Sequence, residues 1–258
     1  MAVIALCSAS GSPGVTTTSL GLALLWPRPV LLVEADPTGG SGILAGYFRG
    51  IRAYDQGLVE LALSSSEVAD LLPRITQHID SSTAGFIAGT RAHTQAAALA
   101  GLWSPLIGAL HELESTGQDV LVDCGRLGLA GWPEPILAEA DLALLLCRTH
   151  LPAISAARSW ADTAQRGTSA WSHPTALLVG EGQPYSAKEV GGVLRLPVLG
   201  VLADDPESAE VLHRGTSIPA GFDRSPLVRS LQAAISAIHA TVSAQRAELS
   251  TEVYSGVQ

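Results

Sequence analysis

The residues best suited to chemistry form one glycine-rich stretch near the start of the chain, Ser8-Ala9-Ser10-Gly11-Ser12-Pro13-Gly14-Val15-Thr16-Thr17-Thr18. An apolar run over residues 2–7 leads into it, and a helical pattern over 16–25 leads out of it. Backbone N–H groups of such a turn can point inward at phosphate oxygens, and the start of the following helix adds its dipole. A complete catalytic phosphate site needs two more parts: a lysine that neutralises the terminal phosphates, and a Ser or Thr hydroxyl that holds Mg²⁺. Thr16 and Thr17 offer the hydroxyl, whereas position 15 is valine. Lys188, far along the chain, is the single lysine among 15 Lys and Arg residues, and Arg28, the arginine nearest the stretch, follows the helix rather than the loop. Three readings stay open: a strand-to-helix turn kept for packing, a nucleotide site with little turnover, and a working ATPase.

The elements around the stretch repeat one pattern. Residues 29–35 (PVLLVEA) form a continuous apolar run closed by Asp36-Pro37, as expected of a strand buried on both faces of a parallel sheet. Short strands are also predicted at 85–89, 119–122 ending on Asp123, 142–147, 176–179 and 198–202. Helices are predicted at 58–63, 67–72, 94–116 with an interruption at Ser104-Pro105, 133–140, 154–166, 187–193, 208–214 and 226–246, while 38–54 reads as irregular. Alternation of strands and helices predicts an α/β fold, a mainly parallel sheet with helices on both faces. One domain over residues 1–247 is expected, with a frayed tail from 248 to 258.

These segments together resemble the ParA/MinD partitioning and cell-division-site ATPases, whose deviant P-loop reads KGGxGKTT. Gly11, Gly14, Thr16 and Thr17 match that pattern; Ser10 stands at the family's signature lysine, Ser12 at a glycine, and Val15 at the lysine every active P-loop carries. The stretch VLLVEADPTG (30–39) resembles the family's DxDPQG segment, with Glu34 at its first Asp and Asp36 retained. DVLVDCGR (119–126) resembles the Walker B strand. The likeness covers roughly residues 2–215. It implies a three-layer α/β/α P-loop fold, ATP and Mg²⁺ as cofactors, and a cradle over Gly11, Ser12, Pro13, Gly14, Val15, Thr16 and Thr17. It also implies Mg²⁺ at Thr16 and Asp123, with Asp36 near the attacking water. Val179-Gly180 occupy the place of an adenine-reading Asn. Relatives dimerise across nucleotide, and some with altered loops position other machinery, so the resemblance implies protein partners and a homodimer. The missing lysines imply weak or absent hydrolysis; the alternative is a slow, ATP-dependent dimerisation switch.

Plainer readings stand beside these. Asp123 could cap a strand end near Arg126, Asp36-Pro37 could start a turn, and Asp204–Glu207 reads as a solvated turn and helix start. Seven histidines show no ligand spacing. Cys7, Cys124 and Cys147 read as buried reduced thiols. A net charge of -9 argues against phosphate-backbone binding. The apolar face of the 226–246 helix is expected to dock on the sheet rather than on a membrane surface. No export signal or membrane span is read, so a cytoplasmic protein is expected.

Overall fold

The computed structural model describes residues 2–10, 12–79, 82–166 and 170–255. The first strand, β1 (Val3–Ser8), enters the glycine-rich loop, and α1 (Val15–Leu25) leaves it. Then come β2 (Val30–Glu34), α2 (Leu58–Leu63), α3 (Val68–Ile75), β3 (Gln77–His78) and β4 (Ala84–Ile87). A short α4 (His93–Ala96) and α5 (Trp103–Glu112) lead to β5 (Asp119–Arg126). The second half alternates regularly: α6 (Glu134–Glu139), β6 (Leu142–Arg148), α7 (Leu151–Ala164), β7 (Pro174–Val179), α8 (Ala187–Leu194), β8 (Val198–Leu202), α9 (Pro206–Arg214) and α10 (Pro226–Ser255).

The strands form one sheet in the order β3-β4-β2-β5-β1-β6-β7-β8. Every neighbouring pair is parallel except the β3–β4 edge. Side chains of β1 alternate between two cores. Val3, Ala5 and Cys7 face the layer that contains α2, α3 and α5 to α8. Ile4 and Leu6 face the layer of α1 and α10, which meets Leu212 of α9. Two covered faces explain why the central strands read as unbroken apolar runs. The expected three-layer α/β/α architecture is therefore observed. The three cysteines are free and buried, and no helix among the described residues is long and apolar enough to cross a membrane.

Some boundaries differ from the sequence expectation. The 38–54 segment, read as irregular, contains a π-helical turn at Ile43–Tyr47. The helical pattern over 94–116 breaks before Trp103 and not at Ser104-Pro105. Pro105 lies in the first turn of α5, where its missing N–H removes no intrahelical bond. The antiparallel β3 is two residues long, too short to leave a periodic signal. Helix α10 continues past Arg246, because neither Gly nor Pro interrupts residues 247–255.

Candidate functional site

Ser8 ends β1 in the middle of the sheet, in register with Arg126 of β5 on one side and Leu146 of β6 on the other. The chain then turns back through the loop. Gly14 takes φ 91°, a left-handed geometry that glycine adopts freely. Ser12 takes φ 45°, so the turn keeps a glycine-like backbone where the resemblance places a glycine and the sequence has serine. Gly11 lies outside the described residues. Pro13 is buried, and Ser12 is exposed.

Helix α1 starts without a side-chain cap; its first bond is Thr18 N–H to the Gly14 carbonyl at 2.8 Å. By contrast His150 caps α7, Ser186 caps α8 and Asp205 caps α9. The first-turn amides of α1 are thus left without a side-chain acceptor, the arrangement an anion can complete. Val15, the first residue of α1, is only 7% exposed and belongs to the same apolar cluster as Ile4, Leu6 and Leu20. The position where a P-loop lysine would turn over the phosphates is filled by a side chain packed into the core.

Beside the loop stands an acidic corner built by the ends of β2 and β5, where Glu34 and Asp123 are in register. Asp123 is 1% exposed. Its Oδ1 accepts the Gly125 N–H at 3.0 Å, and its Oδ2 has no hydrogen-bond partner among the described residues. Burial pushes its pKa up to about 7; the nearby Thr16 hydroxyl and the Gly125 amide pull it down, while the charges of Asp36 and Glu34 push it up. Asp36 Oδ1 accepts the Thr38 N–H at 2.8 Å, which makes the residue a turn initiator. Its carboxyl also rests on Gly125, where an added Cβ would stand 2.1 Å from Asp36 Cγ. Asp36 therefore starts a turn and faces the acidic corner at once. Glu34 accepts from the Ser41 hydroxyl and from the Ile43 N–H, and burial raises its pKa. Those bonds hold the entry to the π-helical turn.

Among the described residues no group of three His, Cys, Asp or Glu side chains is placed to hold a metal ion. That donor set still fits Mg²⁺, which keeps several waters and needs one or two carboxylates plus substrate phosphates. Thr16 and the free oxygen of Asp123 are the residues that would hold it.

A cleft of about 660 Å³ opens over the loop, within the range of small-ligand sites. Residues 12–18, Asp36 and Gly125 line one wall; Val179, residues 202–206 and Leu227 line the other. Val179 brings an apolar surface to the place where the resemblance has its adenine-reading Asn. Three arginines also reach the cleft: Arg126, Arg148 and Arg214. Arg148 pairs with Asp204 at 3.0 Å and Arg214 with Glu210 at 3.2 Å.

None of these three lies near the loop in sequence. Arg28 binds Asp119 at 2.6 Å at the opposite end of β5, and Lys188 is an exposed residue of α8 that does not line the cleft. The usable signal lay elsewhere: LVDCGR and LLLCR both place arginine at the C-terminal end of a strand, and ligands of open α/β sheets bind outside those ends.

No family model and no curated protein matches the sequence. Solved structures do match the fold. A ParA family ATPase from Chlorobium tepidum superposes with a TM-score of 0.68 at 15% identity, covering 92% of this chain and 99% of that one. The septum site-determining protein MinD from Pyrococcus horikoshii, complexed with Mg-ADP, gives 0.67 at 16% identity, covering 91% and 94%. The MinC:MinD cell division complex from Aquifex aeolicus gives 0.70 at 14% identity, covering 93% and 96%. The chain has the ParA/MinD-type P-loop fold.

Proposed function

We propose that this ParA/MinD-type chain is a localisation or scaffold factor of the cytoplasm, working through protein partners and as a homodimer, with weak or no ATP hydrolysis. The observation that carries the reading is Val15: the first side chain of α1 is packed in the core. Without a lysine, the loop itself offers the charge on a transferring phosphoryl group only its amides and a bound Mg²⁺. Removing one donor from a preorganised site costs about 3–4 kcal/mol, or roughly 10²–10³ in rate. The fold neighbours give the reading its direction, since one is a ParA family ATPase and another is MinD in a cell division complex with MinC. The net charge of -9 argues against DNA as the scaffolded partner.

A second reading, a slow ATP-dependent dimerisation switch, is favoured by the uncapped α1 and by the unpartnered Asp123 Oδ2. Under it the amides of residues 12–17 would hold the phosphates, Thr16 and Asp123 the Mg²⁺, and Asp36 would face the water. Mg²⁺, when bound, would neutralise charge on the phosphate oxygens. Steady-state ATP turnover, measured beside calorimetric titration of Mg-ATP, separates the two. The scaffold reading expects turnover at the background level. Turnover at a rate ordinary for P-loop ATPases overturns it, and tight Mg-ATP binding with slow turnover selects the switch.

A further inference from the structure

We infer that Arg126 is the cation that meets a phosphate-bearing ligand in the cleft, delivered by the strand beside the loop and not by the loop itself; the inference rests on the loop's being a ligand site, as the second reading of the previous section has it. Its position is fixed from two sides. Arg126 ends β5 in register with Ser8, the residue that enters the loop, and the next N–H, of Leu127, donates to the Ser8 carbonyl at 2.9 Å.

That register is bought by an irregularity. From Leu6↔Asp123 to Ser8↔Arg126, β1 advances two residues while β5 advances three. An inserted residue of this kind re-aims the side chain that follows it. Gly125 accommodates the turn at φ 60°, pressed against the Asp36 carboxyl where no Cβ would fit. As a result Asp123 stays buried in the acidic corner, and Arg126 lines the cleft.

Charge pairing then singles it out. Of the three arginines on the cleft wall, Arg148 and Arg214 each have a carboxylate partner. Arg126 has no ion pair among the described residues, and it is exposed. The nearest carboxylate along its own strand, Asp123, is held by the Gly125 amide, and Asp36 is held by Thr38. A guanidinium keeps its charge at all working pH values and grips phosphate oxygens through two parallel N–H donors. Arg126 and the uncapped first turn of α1 thus line the same cleft.

The test is calorimetric titration of the full chain with inorganic pyrophosphate and, separately, with Mg-ATP. Four proteins are compared: wild type, Arg126→Ala, Arg126→Lys, and Arg166→Ala, which removes the same charge from a remote surface pair. Arg126→Ala should weaken pyrophosphate binding about tenfold or more, and Arg126→Lys should recover part of the loss. Arg166→Ala should stay within about threefold of wild type. Thermal melts confirm that the variants are folded. Equal binding by wild type and Arg126→Ala overturns the inference. So does an equal loss in Arg126→Ala and Arg166→Ala, or the absence of pyrophosphate binding to wild type at millimolar concentration. Fast ATP turnover by wild type overturns the scaffold reading instead and leaves the binding comparison intact.

Discussion

Strand β5 carries an aspartate at each end, and the two have opposite surroundings. Asp119 and Asp123 are both 1% exposed. At Asp119, Oδ1 accepts the Ala2 N–H at 2.8 Å, while Oδ2 accepts the Trp26 indole N–H at 2.8 Å and the Arg28 Nε–H at 2.6 Å. The carboxylate ties the start of the chain, the end of α1 and the strand together. At Asp123 one oxygen accepts an amide, the other has no hydrogen-bond partner among the described residues, and two further carboxyl groups stand near by. A buried charge is tolerable when it is paired and bonded, and costly when it is not. Asp119 is thus a structural carboxylate. Asp123 is a carboxylate kept at a cost to the fold, which is the pattern of a functional site.

The largest expected effect breaks the structural end. Asp119→Ala strands the Trp26 indole and the Ala2 amide without their acceptor and leaves the Arg28 charge unpaired. Arg28 is half exposed and can turn to water, so the cost comes chiefly from the two stranded donors, at about 1–3 kcal/mol each. Urea unfolding followed by circular dichroism should show a loss of that order at every pH near neutral. A loss below about 1 kcal/mol, the worth of a surface pair, would remove the distinction between the two ends.

The next effect belongs to Asp123 and has the opposite sign. Its folded pKa, about 7, lies above the ordinary 3.8. The folded chain therefore holds a proton that the unfolded chain releases between those values. The stabilisation is complete below the unfolded pKa and is lost as pH rises through about 7. The difference between the two values bounds the effect at about 4 kcal/mol. Glu34, whose pKa burial also raises, adds a slope of the same sign. Unfolding free energy should fall between pH 5 and pH 8 in wild type, and fall less in Asp123→Asn. At pH 8 that variant should be more stable than wild type, whereas every change at Asp119 loses stability. An Asp123→Asn protein as damaged as an Asp119 variant would make both ends structural.

The same contrast marks what could be read from the sequence. The layered fold, the loop and the order of the matching segments were legible because two-sided burial leaves continuous apolar runs and Gly/Pro punctuation survives at strand ends. Thr16, Asp36 and Asp123 are site candidates because the resemblance supplies their spacing. Arg126 and Arg148 carry no such mark, since they come from β5 and β6, strands that are distant from the loop in sequence and adjacent to β1 only in space. The role of Asp119 was also hidden: its partners, Ala2 and Trp26, are 117 and 93 positions away. Glu34 stands at the first Asp of the segment that the resemblance covers. Its bonds to Ser41 and Ile43 show it committed to the neighbouring turn, a use that depends on the local fold of residues 41–47.

The smallest expected effect tests whether strain as well as charge is held at the Asp123 end. Ser12 lies in the loop at φ 45°, a conformation that costs an L-residue about 1–2 kcal/mol and glycine almost nothing. Ser12→Gly removes that cost but gives the unfolded chain extra freedom worth roughly 0.5–1 kcal/mol. The difference leaves a gain of about 0.5 kcal/mol, or about 1–2 °C in melting temperature for a chain of this length. Differential scanning fluorimetry resolves a shift of that size. A gain means that the loop geometry is imposed on serine by its surroundings, as expected where a backbone is shaped for an anion and not for its own stability. A loss means that the Ser12 side chain stabilises the turn by more than its strain, and the Asp123 end then resembles the Asp119 end in being built to hold the fold.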